Sequence, residues 1–208
     1  MKGRHAVREL LAEPDFRRLL GLRLSGQFAD GLFQAALVSA VFFDPNRATT
    51  ATEAAVGFAT LLLPFSVVGP FAGVFLDRWR RQRVLLVTNL SRAALIVPLL
   101  AGFGPTSPAV VALTLVIISC NRFVLSGLSA SLPHVVSGRT LVTANSFTTT
   151  LGGGAAALGG GLAAGLRSVF GTGDTGASHS ALLAAAVYVV AALVARTVAP
   201  DRFGPDDQ

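Results

Sequence analysis

An acidic residue, Asp30, falls near the middle of the first long apolar stretch of this chain. It belongs to a polar stripe, because four polar residues recur there at spacings that share one face of a helix. The members of this stripe are Arg23, Gln27, Asp30 and Gln34. In hydrocarbon such a stripe must face a cavity or partner helices. Two interpretations of Asp30 stay open: it takes up and releases a proton, or it fixes helix packing by hydrogen bonds.

A second polar stripe begins at Arg122, inside another apolar stretch, and continues through Ser126 and Ser129. An arginine in hydrocarbon requires a carboxylate, backbone carbonyls or water. Asp30 is the only acidic residue of the sequence that lies deep in an apolar stretch. We therefore predict that Asp30 and Arg122 lie within one water molecule of each other. The alternative, in which Arg122 extends to the membrane surface, requires a reach of about 15 Å. Arg92 lies nearer the end of its stretch, so for Arg92 we predict extension to the surface.

The elements that carry these residues follow from composition. Hydrophobic residues make up 52% of the chain and charged residues 13%, whereas soluble domains have about 25% charged residues. Mean hydropathy is +0.63. Six apolar stretches each have the roughly 20 residues needed to cross about 30 Å of hydrocarbon. We therefore predict an all-α membrane protein with six transmembrane helices, at residues 19–43, 54–76, 84–103, 108–132, 141–166 and 179–199.

Basic residues indicate the orientation of these spans. The two terminal segments and the loops after spans two and four hold thirteen Lys and Arg residues, whereas the alternate loops hold two. By the positive-inside rule, both termini are predicted to be cytoplasmic, in a multi-pass protein of the cell membrane. Residues 1–18 are then a cytoplasmic segment, 19–199 the bundle, and 200–208 a tail or the start of a central linker. Because the basic residues gather at span ends, we expect no nucleic-acid partner.

The basic turn between the second and third spans carries a pattern of known type. Gly73, Asp77, Arg78 and Arg81 follow the order G-x-x-x-D-R-x-x-R. This pattern resembles the signature loop, motif A, of the major facilitator superfamily, which lies between the second and third helices. The family pattern usually has glycine where this chain has Arg80. Together with the span number and orientation, the resemblance covers nearly the whole chain and implies the N-terminal six-helix half of a transporter.

The resemblance implies a secondary transporter that works by alternating access, with motif A locking one state. Its partners would be a small amphipathic substrate for export, protons, the lipid bilayer and a second six-helix half from this chain or another. We therefore predict that the chain does not transport as a monomer. Six helices alone would leave the stripe around Asp30 against lipid, where charges are costly.

Individual residues take roles from the same resemblance. In proton-coupled exporters of the family an acidic residue of the first helix binds the driving proton, and Asp30 is similar to it. Arg122 resembles the arginine of motif B in the fourth helix, which moves a proton or steadies a nearby acid, although Gly127 comes one position late here. The predicted proton-coupling and cavity residues are Asp30, Arg122, Gln27, Gln34 and Asn145.

The fifth span is rich in glycine, which permits close helix contact in a membrane. The glycines are Gly152, Gly153, Gly154, Gly159, Gly160, Gly161 and Gly165. Antiporters of the family have a glycine-rich fifth helix with a Gly-Pro pair, and that pair is missing here. Close packing and a hinge or antiporter role therefore stay equally open.

We expect no enzyme activity, no cofactor and no metal site. The single cysteine, Cys120, excludes an internal disulfide and a multi-thiolate metal site, and the three histidines lie in separate segments. No paired catalytic set is evident inside the spans. Two other functions stay open: a truncated, inactive transporter half, and a membrane module that binds other proteins and transports nothing.

Overall fold

A computed structural model describes residues 2–42, 79–100, 107–171, 174–199 and 202–204. These residues form helices and short turns, and the described ranges contain no strand. The helices are α1 (Lys2–Ala12), α2 (Pro14–Phe42), α3 (Arg81–Leu99), α4 (Pro108–Val135), α5 (Leu141–Phe170) and α6 (Asp174–Arg196). The prediction of an all-helical chain is confirmed for these ranges.

Helices α2 to α6 coincide with five of the six predicted spans. The span predicted at 54–76 lies outside the described residues. Within those residues, the stretches Pro108–Val135 and Thr175–Arg196 are long and apolar enough to cross a membrane. Charged residues make α2 and α3 less apolar than these two helices. The count of six spans and the orientation of the termini stay predictions.

Local signals in the sequence set the ends of the helices. Pro14 begins α2 and Asp15 lies in its first turn, where a negative charge favours the helix dipole. The helix therefore starts before the predicted span at residue 19, and part of the predicted 1–18 segment is continuous with it. Ser107 caps α4 by accepting a hydrogen bond of 3.3 Å from the Val110 N–H. Gly171 ends α5 with a φ of 100°, which side-chain-bearing residues rarely adopt.

Helix α2 is central, since it packs along α5 and α6 and also contacts α1 and α4. Glycine brings α5 close to it: a Cβ on Gly159 would stand 2.1 Å from the Phe28 carbonyl oxygen, and one on Gly31 would stand 1.9 Å from the Ala156 oxygen. Close packing therefore accounts for Gly159. On the outer face of α5, a Cβ would meet no atom within 4 Å at Gly153, Gly154, Gly161 and Gly165.

Two apolar clusters fill the bundle, one toward each end. The first includes Phe16 and Leu128, and the second includes Phe33, Ile96 and Tyr188. The outside is also apolar: large side chains such as Val142 and Leu158 stay exposed. Large exposed apolar surface of this kind is typical of a protein that contacts lipid or partner helices.

Candidate functional site

Asp30 lies inside the second apolar cluster, where its side chain is almost fully buried. Its Oδ1 atom forms an ion pair with Nη2 of Arg92 on α3. The same oxygen accepts a hydrogen bond of 2.7 Å from the hydroxyl of Tyr188 on α6. Three helices that are distant in sequence therefore meet at one carboxylate oxygen. We call Asp30, Arg92 and Tyr188 the buried triad.

Arg92 is the most enclosed charge of the triad, with 0% of its surface exposed. Its guanidinium carbon lies 3.9 Å from the centroid of the Tyr188 ring, which is a cation–π contact. Its Nη1 atom donates a 3.4 Å hydrogen bond to Oδ1 of Asn89, and Nδ2 of Asn89 donates to the Leu85 carbonyl at 2.7 Å. The positive charge is therefore held by a carboxylate, a ring face and an amide.

The spacing of residues on α3 explains how Arg92 reaches this position. Leu85, Asn89, Arg92 and Ile96 are all buried, and their spacing places them on one face of the helix. That face packs against α6, which supplies Tyr188. The helix thus turns two polar side chains into the bundle among apolar neighbours. The triad balances the charge of Arg92, and Asp30 and Asn89 satisfy its two Nη atoms, whereas its Nε atom is buried without a hydrogen-bond partner among the described residues.

Three expectations from the sequence are corrected by this geometry. The bundle itself buries Asp30 and Arg23, so the charges of this stripe are not left against lipid. Arg92 does not extend to the surface, because it is fully buried and ion-paired. The expectation that Arg122 is the counter-charge of Asp30 is wrong, because Asp30 forms its direct ion pair with Arg92. Arg122 is half-buried on α4.

Arg92 and Tyr188 were therefore missed as members of the site. The sequence contains a signal for Arg92, because its spacing from Asn89 and Ile96 places the three residues on the buried face of α3. Asp30 follows the same kind of spacing on α2. Tyr188 is the single tyrosine of the chain and sits within an apolar span. A lone phenol in such a span requires a hydrogen-bond partner, and Asp30 supplies it.

The start of the predicted stripe on α2 contacts α5. Nε of Arg23 donates to Oε1 of Gln27 at 3.4 Å, and Nη2 of Arg23 donates to Oγ1 of Thr149 at 3.3 Å. Gly152 lies against the same pair, since a Cβ there would stand 1.7 Å from Oε1 of Gln27. These contacts join α2 to α5 one to two helical turns away from Asp30.

The remaining predicted cavity residues lie apart from the triad. Gln34 is half-buried on α2, one turn beyond Asp30. Asn145 is exposed near the start of α5, and its backbone carbonyl accepts a 3.2 Å hydrogen bond from the Thr148 hydroxyl. The structure thus keeps Gln27, Gln34 and Asn145 outside the direct contacts of Asp30.

Of the predicted motif A residues, Arg81 is described, whereas Gly73, Asp77 and Arg78 lie outside the described residues. Arg81 is buried, and its Nη1 atom donates to the carbonyls of Ala130 at 2.9 Å and Phe203 at 3.1 Å. Its backbone N–H also donates to the Gly204 carbonyl at 3.2 Å. Arg81 therefore ties the start of α3 to the end of α4 and to the segment after α6.

Two known proteins resemble this chain along nearly its whole length. Both are named uncharacterized MFS-type transporters, one from Mycobacterium bovis and one from Mycobacterium tuberculosis. Each is 43% identical to this chain over 202 residues, which cover 96% of the chain and 46% of the relative. This similarity supports the resemblance to the major facilitator superfamily that motif A indicates. No protein-family profile matches it, and no solved structure matches it.

The similarity to MFS-type transporters implies that the chain lies in a membrane. The chain spans about half the length of the curated relatives it matches. In that setting a buried charge pair is expensive unless its groups satisfy each other, because no water replaces a lost partner. A change of charge on Asp30 or Arg92 therefore leaves the other group of the pair buried without its counter-charge.

Proposed function

We propose that this chain is half of a secondary active transporter that exports small amphipathic molecules, coupled to protons, by alternating access. The observation that carries the proposal is the buried ion pair of Asp30 and Arg92, bonded across three helices with Tyr188. Secondary transporters place their coupling sites near the bilayer midplane, between helices that move against each other.

The physical basis is the charge balance of the triad. A buried ion pair is tolerable because each charge offsets the desolvation of the other. When Asp30 takes up a proton, Arg92 keeps its charge and loses its carboxylate partner. An uncompensated buried charge costs about 3–5 kcal/mol, so proton uptake favours a repacking of α2, α3 and α6 that gives Arg92 another partner or water.

Arg92 keeps two of its contacts inside the bundle when Asp30 is protonated. The Tyr188 ring and Asn89 still contact its guanidinium group after the carboxylate is neutralised. In the proposal Tyr188 therefore holds Arg92 while Asp30 exchanges its proton, and Arg122 adjusts the field at Asp30 from α4. Gln27 and Gln34 on the Asp30 stripe offer polar contacts to a substrate.

The remaining parts of the proposed cycle lie at the ends of the bundle. The motif A loop around Asp77 and Arg78 would lock one state, and a second six-helix half would complete the cavity. Arg81 supports this arrangement, because its contacts with Ala130 and Phe203 join the start of α3 to neighbouring segments. A rigid joint there lets the bundle move as one body.

Proton flux tests the proposal directly. The full chain is reconstituted in vesicles that contain a pH-sensitive dye, a pH gradient is imposed, and flux is compared with that of Asp30→Asn. We expect Asp30→Asn to abolish gradient-driven proton movement. The matched control is Asp15→Asn, because Asp15 lies near the start of the same helix and pairs with Arg18 outside the triad. Flux in Asp15→Asn should stay unchanged.

A second variant separates loss of coupling from loss of fold. Asp30→Asn combined with Arg92→Gln removes both charges and leaves an amide at each position, so no unpaired charge is buried. We expect this protein to fold, by thermal unfolding in detergent, and to move no protons. Wild-type flux in either Asp30 variant would overturn the proposed coupling.

A further inference from the structure

A second feature of the molecule lies outside the triad, on the far side of α3. A groove of about 630 Å³ runs between α3 and α4. Its volume is in the range of sites that hold a small organic molecule, about 300–1,000 Å³. We call it the α3–α4 groove. It shares one lining residue, Cys120, with the neighbourhood of Arg92, and it contains no member of the triad.

The groove is basic at one end and apolar along its length. Arg80 and Arg83 line the end where α3 begins, and Val87 and Phe123 line the wall beyond them. The α3 residues recur at helical spacing and extend to Ser91, about 12 Å along the axis from Arg83. None of the described residues that line the groove is acidic. A ligand that fits has an anionic head and an apolar tail.

Arg83 is the charge best placed to receive such a head. Its side chain is exposed, and within the part of the chain that the structure describes it makes no ion pair. It lies in the first turn of α3, where the helix dipole adds to its positive charge. Trp79 lines the same end with 58% of its surface exposed. Tryptophan at such a position is typical of the headgroup region of a bilayer.

We propose that the α3–α4 groove binds an anionic phospholipid from the bilayer. Its phosphate contacts Arg83, and one acyl chain lies along Val87 and Phe123. Basic pockets between membrane helices bind anionic headgroups, and the bilayer presents these lipids at the surface where Lys and Arg gather. The terminal segments and the loops predicted on this side of the membrane together hold thirteen of the seventeen Lys and Arg residues. The proposal concerns lipid binding and does not depend on proton coupling.

The single tryptophan of the chain makes the groove directly observable. Trp79 lines the groove, so a brominated acyl chain bound there quenches its fluorescence. The full chain is placed in vesicles of phosphatidylcholine, and brominated phosphatidylglycerol or brominated phosphatidylcholine is added in matched amounts. We expect the anionic lipid to quench at a mole fraction about fivefold lower than that of brominated phosphatidylcholine. This is the preference that one phosphate–arginine contact gives near a membrane surface.

Matched variants show which residue gives the preference for the anionic lipid. Arg83→Gln should lose this preference, whereas Arg83→Lys should keep most of it. The control is Arg139→Gln, which removes the same charge from an exposed position before α5, outside the groove. Equal loss in Arg139→Gln would show surface attraction alone and overturn the site. Equal quenching by both lipids in the unchanged protein would also overturn it. Inorganic phosphate alone should neither quench the fluorescence nor compete with the lipid, since it lacks the acyl chain. Competition by phosphate would indicate a site for a soluble anion and would overturn the lipid proposal.

Discussion

At the scale of single residues, the buried triad is the most constrained part of the described bundle. Asp30 and Arg92 would each be costly alone in an apolar interior, and together they form a neutral pair. Tyr188 supports both, through its hydroxyl to Asp30 and its ring over Arg92. A neutral buried cluster of this kind is stable when Asp30 is ionised and is destabilised when Asp30 is protonated, because Arg92 then loses its counter-charge.

Removal of one charge should therefore cost more than removal of both. Arg92→Met leaves Asp30 buried without its counter-charge, and we expect about 3–5 kcal/mol less stability toward unfolding. Adding Asp30→Asn to Arg92→Met should recover most of this loss, because no unpaired charge remains. Denaturant unfolding of the two single variants and the double variant in detergent measures the coupling free energy. Additive losses would contradict a direct Asp30–Arg92 pair.

The sequence predicted one member of the triad and missed two. Asp30 stood out because it is an acid within a long apolar span. Its partner could not be chosen from the sequence, because Arg92 and Arg122 are both arginines in apolar spans and the choice depends on how the helices pack. Helix α3 packs against α6, and α6 packs along α2, so α6 brings Arg92 to Asp30. The expectation for Arg92 used only its distance from the end of an apolar stretch, and hydropathy does not indicate which helices contact each other.

At the scale of helices, the contact between α2 and α5 depends on the absence of side chains. Gly31 and Gly159 lie where the two backbones come closest. In a membrane such close approach gives extensive van der Waals contact, which is a main source of helix association there. The packing of α5 also holds α2, the helix that carries Asp30.

Two glycines of α5 should consequently respond in opposite ways to alanine. Gly159→Ala places a methyl group 2.1 Å from the Phe28 carbonyl oxygen, so the helices must separate. We expect about 1–3 kcal/mol of lost stability, the usual cost of overpacking. At Gly161 a Cβ meets nothing within 4 Å, so Gly161→Ala should be neutral or stabilise by up to about 1 kcal/mol.

Thermal unfolding of both variants in the same detergent compares them. Equal stability of Gly159→Ala and Gly161→Ala would contradict the close α2–α5 contact.

The helices themselves were largely predictable, and their contacts were not. Apolar length predicted where α2 to α6 lie, because a span of hydrocarbon fixes the minimum length of a helix. The start of α2 at Pro14 was missed, since hydropathy does not register a polar first turn. The role of each glycine on α5 depends on which face meets α2, and the sequence left that open.

At the scale of the whole molecule, this chain covers about half the length of its relatives. The described bundle also leaves large apolar side chains such as Leu158 and Val142 exposed. In the proposed transporter part of this surface contacts lipid, and part contacts a second six-helix half. The substrate cavity would then have one wall from each half.

Crosslinking in native membranes tests whether a second half is present. The chain has a mass of 21.4 kDa, and we expect a crosslinked species of at least twice that mass. Mass spectrometry of the product distinguishes a second copy from a separate chain. A chain that stays monomeric in mild detergent and still moves protons in vesicles would contradict the two-half arrangement.

The most direct test of the central claim observes the proton on Asp30. Infrared difference spectra of the chain in lipid, recorded as the pH is lowered, report the C=O stretch of a newly protonated carboxylic acid. We predict such a band in the unchanged protein and in Asp15→Asn, a shifted band in Tyr188→Phe because the phenol hydrogen bond is lost, and no band assignable to this site in Asp30→Asn. A spectrum of Asp30→Asn identical to that of the unchanged protein would contradict the claim that Asp30 binds the coupling proton.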